Sequence, residues 1–309
     1  MEYIKGVTFA PFCHRGSFQR EEAFQSLRNL KERTNANFII LVPNGLQETP
    51  QSEEIDYQSN ATVGDKELID MISYAKSLKL RVALKPTVNC KNGTWRAFIS
   101  FFEEDVPCEP KWGNWFRAYT EFQLHYARIA EKTKCEMLIA GCEMVQTEHR
   151  EKEWRNLIKE IRTGFSGLVS YNTDKYQEHN VSWWDAVDVI SSSGYYPMDD
   201  WEKQLDRIET VVKRFDKPFF FAECGCMSVK GSNLVPNNWS MRGNIDLEGQ
   251  AEWYHSMIEA IKRRDWVQGL AIWDWAWNQY SLSEVLKHSG YDIYGKPAEK
   301  VVADFYGAG

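Results

Sequence analysis

Two glutamates in this sequence each follow a short apolar run. Residues 137–142 lead into Glu143, and residues 218–222 lead into Glu223. Apolar runs of this length, followed by turn-forming residues, are typical of buried parallel strands. Enzymes built on parallel strands place ionisable residues at the carboxyl ends of those strands. Two carboxylates that face each other across one cleft are suited to the cleavage of a glycosidic bond.

The segments that would position these glutamates alternate between strand and helix patterns. Strands are predicted at residues 4–10, 37–43, 80–87, 136–143, 167–173, 187–195, 218–224 and 267–275. Helices are predicted at residues 21–33, 65–79, 115–132, 152–163, 201–214, 247–264 and 298–306, with a weak helix around 182–186. Eight strands separated by helices predict an α/β fold, a (β/α)8 TIM barrel that forms a single domain over residues 1–309. A doubly wound sheet is the alternative, but the chain has no glycine-rich phosphate loop.

Two long segments follow the third and seventh predicted strands. They cover residues 88–111 and 227–246, and the first of them contains Asn89. Barrel enzymes build their substrate clefts from loops at this end of the strands. We therefore expect two extended rim loops over a cleft that is long enough for an oligomer. The alternative is that these loops only cover the surface of the barrel or its helices.

Tryptophan is unusually frequent, with 13 copies in 309 residues. About half of them are expected in the core. The others can provide flat platforms, because the C–H face of a pyranose ring packs against an indole. Trp273, Trp275 and Trp277 alternate at the end of the last predicted strand, so they are expected to share one face.

Net charge and hydropathy exclude several classes of partner. The net charge of −7 argues against nucleic acid or an anionic membrane surface. No apolar stretch approaches the roughly 20 residues of a membrane span. Residues 1–10 lack the zones of a signal peptide. We expect a cytoplasmic protein, or a secreted one if this chain begins after a cleaved signal.

The cysteines and the remaining carboxylates suggest no second chemistry. The seven cysteines are scattered, and Cys224 and Cys226 are expected to be small buried thiols. There is no Cys-x-x-Cys motif and no histidine cluster, so we expect no metal and no cofactor. Glu148 lies beside His149 and Arg150, in a charged stretch that is typical of a solvated helix start.

Several motifs together resemble glycoside hydrolase family 113, the β-mannanases among the clan A retaining glycoside hydrolases. They are KGVTFAPF at the start, IAGCEM at the fourth strand, SSSGYYP at the sixth, PFFFAECGC at the seventh and GLAIWDWAW at the eighth. The resemblance covers essentially the whole chain. It implies hydrolysis of β-1,4-mannosidic bonds in mannan or manno-oligosaccharides by double displacement, and we expect a monomer. The alternatives are another clan A β-glycanase, such as a β-glucanase, and a non-catalytic barrel that binds carbohydrate.

The resemblance also implies roles for the paired glutamates. Glu223 is expected to be the nucleophile, and Glu143 is expected to be the general acid and base. Tyr195 or Tyr196, at the end of the sixth strand, is expected to donate a hydrogen bond to Glu223 and to hold it charged. The two carboxyls of a retaining enzyme lie about 5–5.5 Å apart. At this distance their pKa values are expected to differ, so that the acid stays protonated while the nucleophile is ionised.

Other residues near the predicted rim are candidates for substrate binding. They are Lys85, Asn89, Asn172, Tyr196, Trp273, Asp274 and Trp275. Lys85 can bind a sugar hydroxyl or pair with a carboxylate. The sequence departs from most clan A enzymes at Cys142, where they have an asparagine that contacts the sugar 2-hydroxyl. Mannose and glucose differ at this hydroxyl, so the departure disfavours cellulase and xylanase activity without establishing mannan as the substrate.

Overall fold

The computed structural model describes residues 1–308 and contains a closed barrel of parallel strands. In chain order the strands are β1 (Ile4–Phe9), β2 (Phe38–Leu41), β3 (Asn44–Gln47), β4 (Arg81–Leu84), β5 (Thr87–Cys90), β6 (Met137–Cys142), β7 (Leu168–Thr173), β8 (Val189–Gly194), β9 (Phe219–Cys224) and β10 (Val267–Trp275). The barrel order is β1-β10-β9-β8-β7-β6-β4-β2, and β1 closes it by pairing with both β10 and β2. The predicted (β/α)8 fold is confirmed.

Seven α-helices among the described residues surround the barrel. They are α1 (Glu21–Thr34), α2 (Asp65–Ser77), α3 (Trp112–Thr133), α4 (Glu151–Gly164), α5 (Trp201–Phe215), α6 (Leu247–Ile261) and α7 (Pro297–Gly307). Local sequence favours the starts of two of them, α6 and α7. The Asp246 side chain accepts a hydrogen bond from the Gly249 amide at 2.9 Å and caps α6, and proline occupies the first position of α7. Between β7 and β8 the chain forms only a short 3₁₀ turn, Trp184–Ala186, where the sequence predicted a weak helix.

The apolar core has two layers. One cluster fills the barrel interior and includes Ile4, Phe38, Ile139, Phe220 and Ala222. A larger cluster fills the space between the strands and the helices. Alternate residues of one strand belong to different layers, as a barrel requires. Strand β6 and residues 219–222 of β9 are buried and apolar on both faces for this reason.

Strands β3 and β5 form a separate two-stranded sheet that the sequence did not predict. They pair in parallel, with Asn44 opposite Thr87. Each follows a barrel strand after a proline, Pro43 or Pro86, and proline cannot donate to the ladder of hydrogen bonds. The chain therefore leaves the barrel at these prolines, and the small sheet places Asn89 at the mouth of the barrel.

The pairing register shifts near the ends of β6, β9 and β10. The shifts fall between Ile139 and Cys142, between Phe221 and Glu223, and between Ile272 and Trp275. In each case the strand has one more residue than its partner strand over the same stretch. An extra residue of this kind is a β-bulge, and it reverses the inward and outward alternation of the side chains beyond it.

Candidate active site

Glu143 and Glu223 lie side by side at the carboxyl end of the barrel. Glu143 is the first residue after β6, and Glu223 lies near the end of β9. One carboxylate oxygen of each glutamate and Sγ of Cys142 all lie within 4.8 Å of one another. The carboxyls of retaining glycosidases are about 5–5.5 Å apart, whereas those of inverting enzymes are about 6.5–9.5 Å apart. The separation of this pair therefore fits a retaining mechanism.

The bulge in β9 turns Glu223 towards the barrel interior. Ala222 belongs to the inner core cluster, and Cys224 belongs to the outer one. Strict alternation would place Glu223 on the side opposite to Ala222, facing the helices. Because the extra residue intervenes, the Glu223 carboxylate instead lies inside the barrel mouth, where it meets Tyr195 from the end of the neighbouring strand β8 and Lys85 from the end of the more distant strand β4.

Glu223 is almost fully buried, with 2% exposure, and both of its oxygens have partners. Oε1 pairs with the Lys85 ammonium and accepts a hydrogen bond from the Cys142 thiol at 3.3 Å. Oε2 accepts one from the Tyr195 hydroxyl at 2.9 Å. Burial by itself would raise the pKa of Glu223. The charges of Lys85 and Arg96, with hydrogen bonds from Lys85 and Cys142, outweigh it, and the pKa is lowered. The surroundings therefore favour an ionised Glu223.

Glu143 has a different environment, with 7% exposure. Its Oε1 accepts a hydrogen bond from the Ser193 hydroxyl at 2.8 Å. Its Oε2 accepts bonds from the Trp95 indole and the Arg96 guanidinium, each at 3.2 Å. The backbone of Glu143 has a φ of 53°, in the left-handed region that non-glycine residues rarely adopt. The carboxyl is thus aimed by an unusual turn rather than by a regular strand.

Arg96 connects the two halves of the site. It lies on the loop after β5 and donates hydrogen bonds to the Cys142 carbonyl at 2.8 Å and to Asn89 Oδ1 at 2.9 Å. The guanidinium also contacts Glu143 and contributes to the lowered pKa of Glu223. The sequence predicts this loop but does not single out Arg96, because no periodicity or motif distinguishes this arginine from the other charged residues of the loop. Asn89 supports Arg96 and also lines the cleft.

Asp174, just after β7, is a second cleft residue that the sequence did not predict. It lines the same cleft as Glu143 and is 6% exposed. Burial and the nearby charge of Glu143 raise the pKa of Asp174 to about 7, although Lys175 at 3.2 Å acts in the opposite direction. The signal available in the sequence was its position at the end of the fifth predicted strand.

An open cleft of about 900 Å³ lies above the two glutamates. Its lining includes Phe12, Asn89, Trp95, Arg96, Asp174, Tyr195, Trp239 and Trp273. The Trp273 ring centroid is 5.9 Å from that of Phe12 and 5.8 Å from that of Trp239. Both long rim segments contribute, through Trp95 and Trp239. The cleft thus combines carboxylates with aromatic faces, a combination that suits carbohydrate.

The structure separates the two tyrosines that the sequence left as alternatives. Tyr195 contacts Glu223 and lines the cleft. Tyr196 is fully buried, and its hydroxyl donates a hydrogen bond to Glu178 at 2.8 Å. Its ring packs against Trp201 of α5. Tyr196 therefore lies behind the barrel wall, and the predictions that it orients Glu223 or binds substrate are wrong.

The prediction that Trp275 binds substrate is also wrong, whereas Trp273 lines the cleft, as the sequence predicted. Trp275 is fully buried, and its indole N–H donates a hydrogen bond to the backbone oxygen of Ser26 in α1 at 3.2 Å. The bulge in β10 explains the difference, since the two tryptophans would share a face on a regular strand. Trp275 therefore packs in the outer core and does not face the cleft.

Three other predicted residues are placed beneath or beside the cleft. Lys85 pairs with the Glu223 carboxylate, which is one of its two predicted roles. Asn172 is fully buried, with hydrogen bonds to Lys85 at 3.4 Å and to Ser193 at 3.1 Å. Asp274 is 8% exposed and does not line the cleft. Burial, followed by the charge of Asp292, raises the pKa of Asp274 to about 7. The predictions of sugar contact by Asn172 and Asp274 are not supported by this placement.

Glu148 is not part of a solvated helix start, because it is 2% exposed and α4 begins only at Glu151. Its charged neighbours in the sequence are misleading. His149 and Arg150 pair with Glu103 on the surface, while the side chain of Glu148 turns inward to Tyr171 and Thr173.

Potential metal ligands coincide with the proposed catalytic groups. Within residues 1–308, the one cluster of three or more such side chains is Cys142, Glu143 and Glu223. Lys85 and Arg96 already contact these carboxylates. A divalent cation at this position would be repelled by both of them, so the cluster is better suited to proton transfer and nucleophilic attack.

All seven cysteines are free, and Cys224 and Cys226 are buried. No helix among residues 1–308 is both long and apolar enough to cross a membrane.

Comparison with known proteins connects this geometry to a family. The model of Glycoside Hydrolase Family 113 matches residues 7–296. A solved complex of a GH113 β-1,4-mannanase is 54% identical, with a TM-score of 0.99 and 100% coverage of both chains. The GH113 β-mannanase AaManA from Alicyclobacillus acidocaldarius, in complex with ManMIm, is 40% identical with a TM-score of 0.96, covering 100% of this chain and 98% of that chain.

More distant structures share the fold alone. A β-D-glucuronidase from Dictyoglomus thermophilum is 17% identical with a TM-score of 0.67, and the match covers 99% of this chain but 50% of that one. No match was found among curated protein sequences.

Proposed function

This chain belongs to glycoside hydrolase family 113, and we propose that it hydrolyses β-1,4-mannosidic bonds in mannan or manno-oligosaccharides with retention of configuration. The resemblance drawn from the sequence motifs is thereby confirmed. The observation that carries the proposal is the pair of carboxylates within 4.8 Å of each other in an aromatic cleft. The similarity to β-mannanases at 54% and 40% identity supports mannan as the substrate class.

In the first step, we propose that Glu223 attacks the anomeric carbon. Its negative charge is favoured by Lys85, and the Tyr195 hydroxyl fixes the second oxygen. As the bond to the leaving oxygen breaks, Glu143 donates its proton to that oxygen. The products of this step are the shortened sugar chain that leaves and a glycosyl ester of Glu223.

In the second step, Glu143 acts in the opposite direction. Now ionised, it takes a proton from a water molecule, and the oxygen of that water attacks the anomeric carbon. The ester bond to Glu223 breaks, which returns both carboxyls to their starting states. Two inversions at one carbon give net retention. We propose that residues 1–309 form one catalytic domain, because one closed barrel supplies both glutamates and the side chains of Lys85, Tyr195 and Ser193 that hold them. We also propose that this domain acts as a monomer.

The contrast between neutral and charged donors supports this assignment of roles. Glu223 is paired with the buried Lys85, as a group that must be ionised before reaction requires. Glu143 contacts the neutral donors Ser193 and Trp95 in addition to Arg96. A hydroxyl or an indole N–H can remain in contact with a carboxyl through both of its protonation states.

Hydrolysis of a substrate panel tests the proposed function. We expect reducing-sugar release from mannan and glucomannan but little from cellulose or xylan, and nuclear magnetic resonance should show the β-anomer as the first product. The matched Glu223→Gln protein, purified in the same way, controls for contaminating enzymes. Preferential release from a β-glucan would favour another clan A β-glycanase. Binding of mannan without release of sugar would favour the non-catalytic barrel.

A further inference from the structure

Glu148 is a buried carboxyl that lies outside the cleft and takes no part in the reaction proposed above. Its Oε1 accepts hydrogen bonds from the Tyr171 hydroxyl at 2.8 Å and from the Thr173 hydroxyl at 2.7 Å. Its buried Oε2 has no hydrogen-bond partner among the described residues. Burial raises the pKa of Glu148 to about 8. An uncharged carboxylic acid is the form that such a site tolerates best.

The hydrogen bonds of Glu148 lead directly to the backbone of the acid residue. The Tyr171 hydroxyl, which donates to Glu148, also accepts a hydrogen bond from the Met144 amide at 3.1 Å. The Glu143 amide donates to the Asn172 carbonyl at 2.7 Å. The two peptide groups on either side of the Glu143 Cα are therefore both bonded to β7. One bond is to the β7 backbone, and the other is to a tyrosine that Glu148 holds.

Glu143 needs such support because its backbone is in the left-handed region, with a φ of 53°. A non-glycine residue in this region persists only where its surroundings impose the conformation. The direction of the side chain follows from the backbone, so any relaxation of this turn would move the carboxyl. The carboxyl has to reach the leaving oxygen to within hydrogen-bonding distance.

The support is closely packed. The Tyr171 ring packs against Trp154 at 4.9 Å and Trp183 at 5.0 Å, measured between ring centroids, and these two indoles stack on each other. The Trp183 indole donates a hydrogen bond to the Glu148 carbonyl at 2.9 Å. The short turn Val145–Thr147 joins the two glutamates. Residues 144–148 are thus attached to the outer layer of the barrel at several points.

We propose that Glu148 is a positioning residue for Glu143, and that it acts through Tyr171 to hold the left-handed turn that aims the acid at the leaving oxygen. This inference rests on the proposed function. It predicts that loss of the Tyr171 hydroxyl impairs proton transfer to the leaving oxygen more than it impairs substrate binding.

The test compares Tyr171→Phe with Tyr196→Phe. The structure contains both tyrosines as fully buried side chains whose hydroxyls donate to a buried glutamate at 2.8 Å, but only Tyr171 is linked to the backbone next to Glu143. For Tyr171→Phe we expect kcat on mannopentaose to fall about 10- to 100-fold, the size of effect that a displacement of about 1 Å produces. KM should change by less than threefold. Tyr196→Phe should leave both constants within twofold of wild type.

The dependence on the leaving group separates positioning from general loss of structure. For Tyr171→Phe, kcat/KM on an aryl β-mannobioside with a good leaving group should fall much less than on mannopentaose, because departure of that group needs little protonation. All assays are run well below the measured Tm of each variant. An equal fall on both substrates, or the same ratio for Tyr171→Phe and Tyr196→Phe, would overturn the proposal.

Variants of Glu148 itself complete the experiment. Glu148→Gln keeps a carbonyl acceptor for Tyr171 and should retain activity within a fewfold, whereas Glu148→Leu should reproduce the selective loss seen in Tyr171→Phe. If Glu148→Leu does not fold, Tyr171→Phe still decides the question. A wild-type protein that does not cleave mannan would contradict the proposed function. An active wild type with an unchanged leaving-group dependence in Tyr171→Phe would contradict only this inference.

Discussion

Glu223 and Glu143 lie within 4.8 Å of each other, yet the protein holds them by different means. Glu223 lies on the barrel strand β9. It pairs with Lys85, which directly follows β4 and has a fully buried side chain. Glu143 is past the end of its strand, in a left-handed turn, and Trp95 and Arg96 contact it from the loop after β5. Glu223 is thus held chiefly by the charge of Lys85, whereas Glu143 is held by its backbone geometry and by neutral donors, with Arg96 as its one charged partner.

The difference follows from what each group has to do. A nucleophile has to be ionised before the substrate arrives, and a buried cation maintains that state. An acid that becomes a base has to lose and regain a proton, so a strong ion pair would hold it in one state. Backbone support of the kind that Tyr171 provides aims the carboxyl without fixing its charge.

The largest expected effect on activity is that of replacing Glu223, the carboxylate held by charge. Glu223→Gln should abolish hydrolysis, since an amide cannot form the glycosyl ester. Glutamine keeps an acceptor for Lys85, whereas alanine would leave Asn172 as the remaining acceptor for this buried ammonium. The measurement is reducing-sugar release from mannan, with circular dichroism as the check on folding. In Glu223→Ala, added azide should restore some turnover with inverted product. Hydrolysis at a near wild-type rate by either variant would refute the nucleophile assignment.

The next largest effect on activity is that of replacing Glu143, the carboxylate held mainly by its backbone. Glu143→Ala should lower kcat/KM on manno-oligosaccharides about 10²- to 10⁴-fold, the usual contribution of a general acid. Activated aryl mannosides should lose far less, because their leaving groups depart without a proton. The two substrates are measured side by side with one enzyme preparation. If both fall by the same factor, Glu143 positions the sugar and does not transfer protons.

Lys85→Met tests whether charge is what fixes Glu223. Activity requires ionised Glu223, so it is lost as the pH falls through the pKa of this group. Lys85 is the strongest of the groups that lower this pKa, and burial, which raises it, remains in the variant. The acidic limb of kcat/KM against pH should therefore move to higher pH than in wild type. Breaking a buried ion pair typically destabilises a protein by about 3–5 kcal/mol, so Tm should fall as well. An unshifted acidic limb would show that Lys85 does not set the charge of Glu223.

The sequence predicted the eight barrel strands and both glutamates because these depend on apolar runs and their order. Strand β6, for example, was predicted at residues 136–143 and lies at Met137–Cys142. The sequence did not predict which face the last residues of the strands would occupy. Bulges in β6, β9 and β10 reverse the alternation near Glu143, Glu223 and Trp273, and no local pattern marks the extra residue.

Sequence patterns also did not predict contacts between segments that are far apart in the chain. Arg96 reaches Glu143 from a loop, and Glu148 turns inward although its neighbours in the sequence are charged. The family resemblance gave the roles of the two glutamates, but it could not separate Tyr195 from Tyr196. Adjacent residues point to different sides of the chain, and the turn after β8 determines which one reaches Glu223.

Trp273 and Trp275 provide the smallest expected effect on activity and the clearest test of the bulge in β10. Trp273 lines the cleft, with the Lys85 ammonium 5.4 Å from its ring centroid, so it forms a wall beside the nucleophile. Trp273→Ala should reduce substrate binding by about 1–3 kcal/mol, the range for loss of aromatic stacking. Trp275→Phe should leave kcat/KM unchanged and lower Tm, because it removes only the hydrogen bond to Ser26 and some outer core packing. Steady-state kinetics on mannopentaose and thermal unfolding of both variants give the two readouts. If Trp275→Phe weakened substrate binding as Trp273→Ala does, both rings would have to reach the cleft, and the reversal of faces along β10 would be wrong.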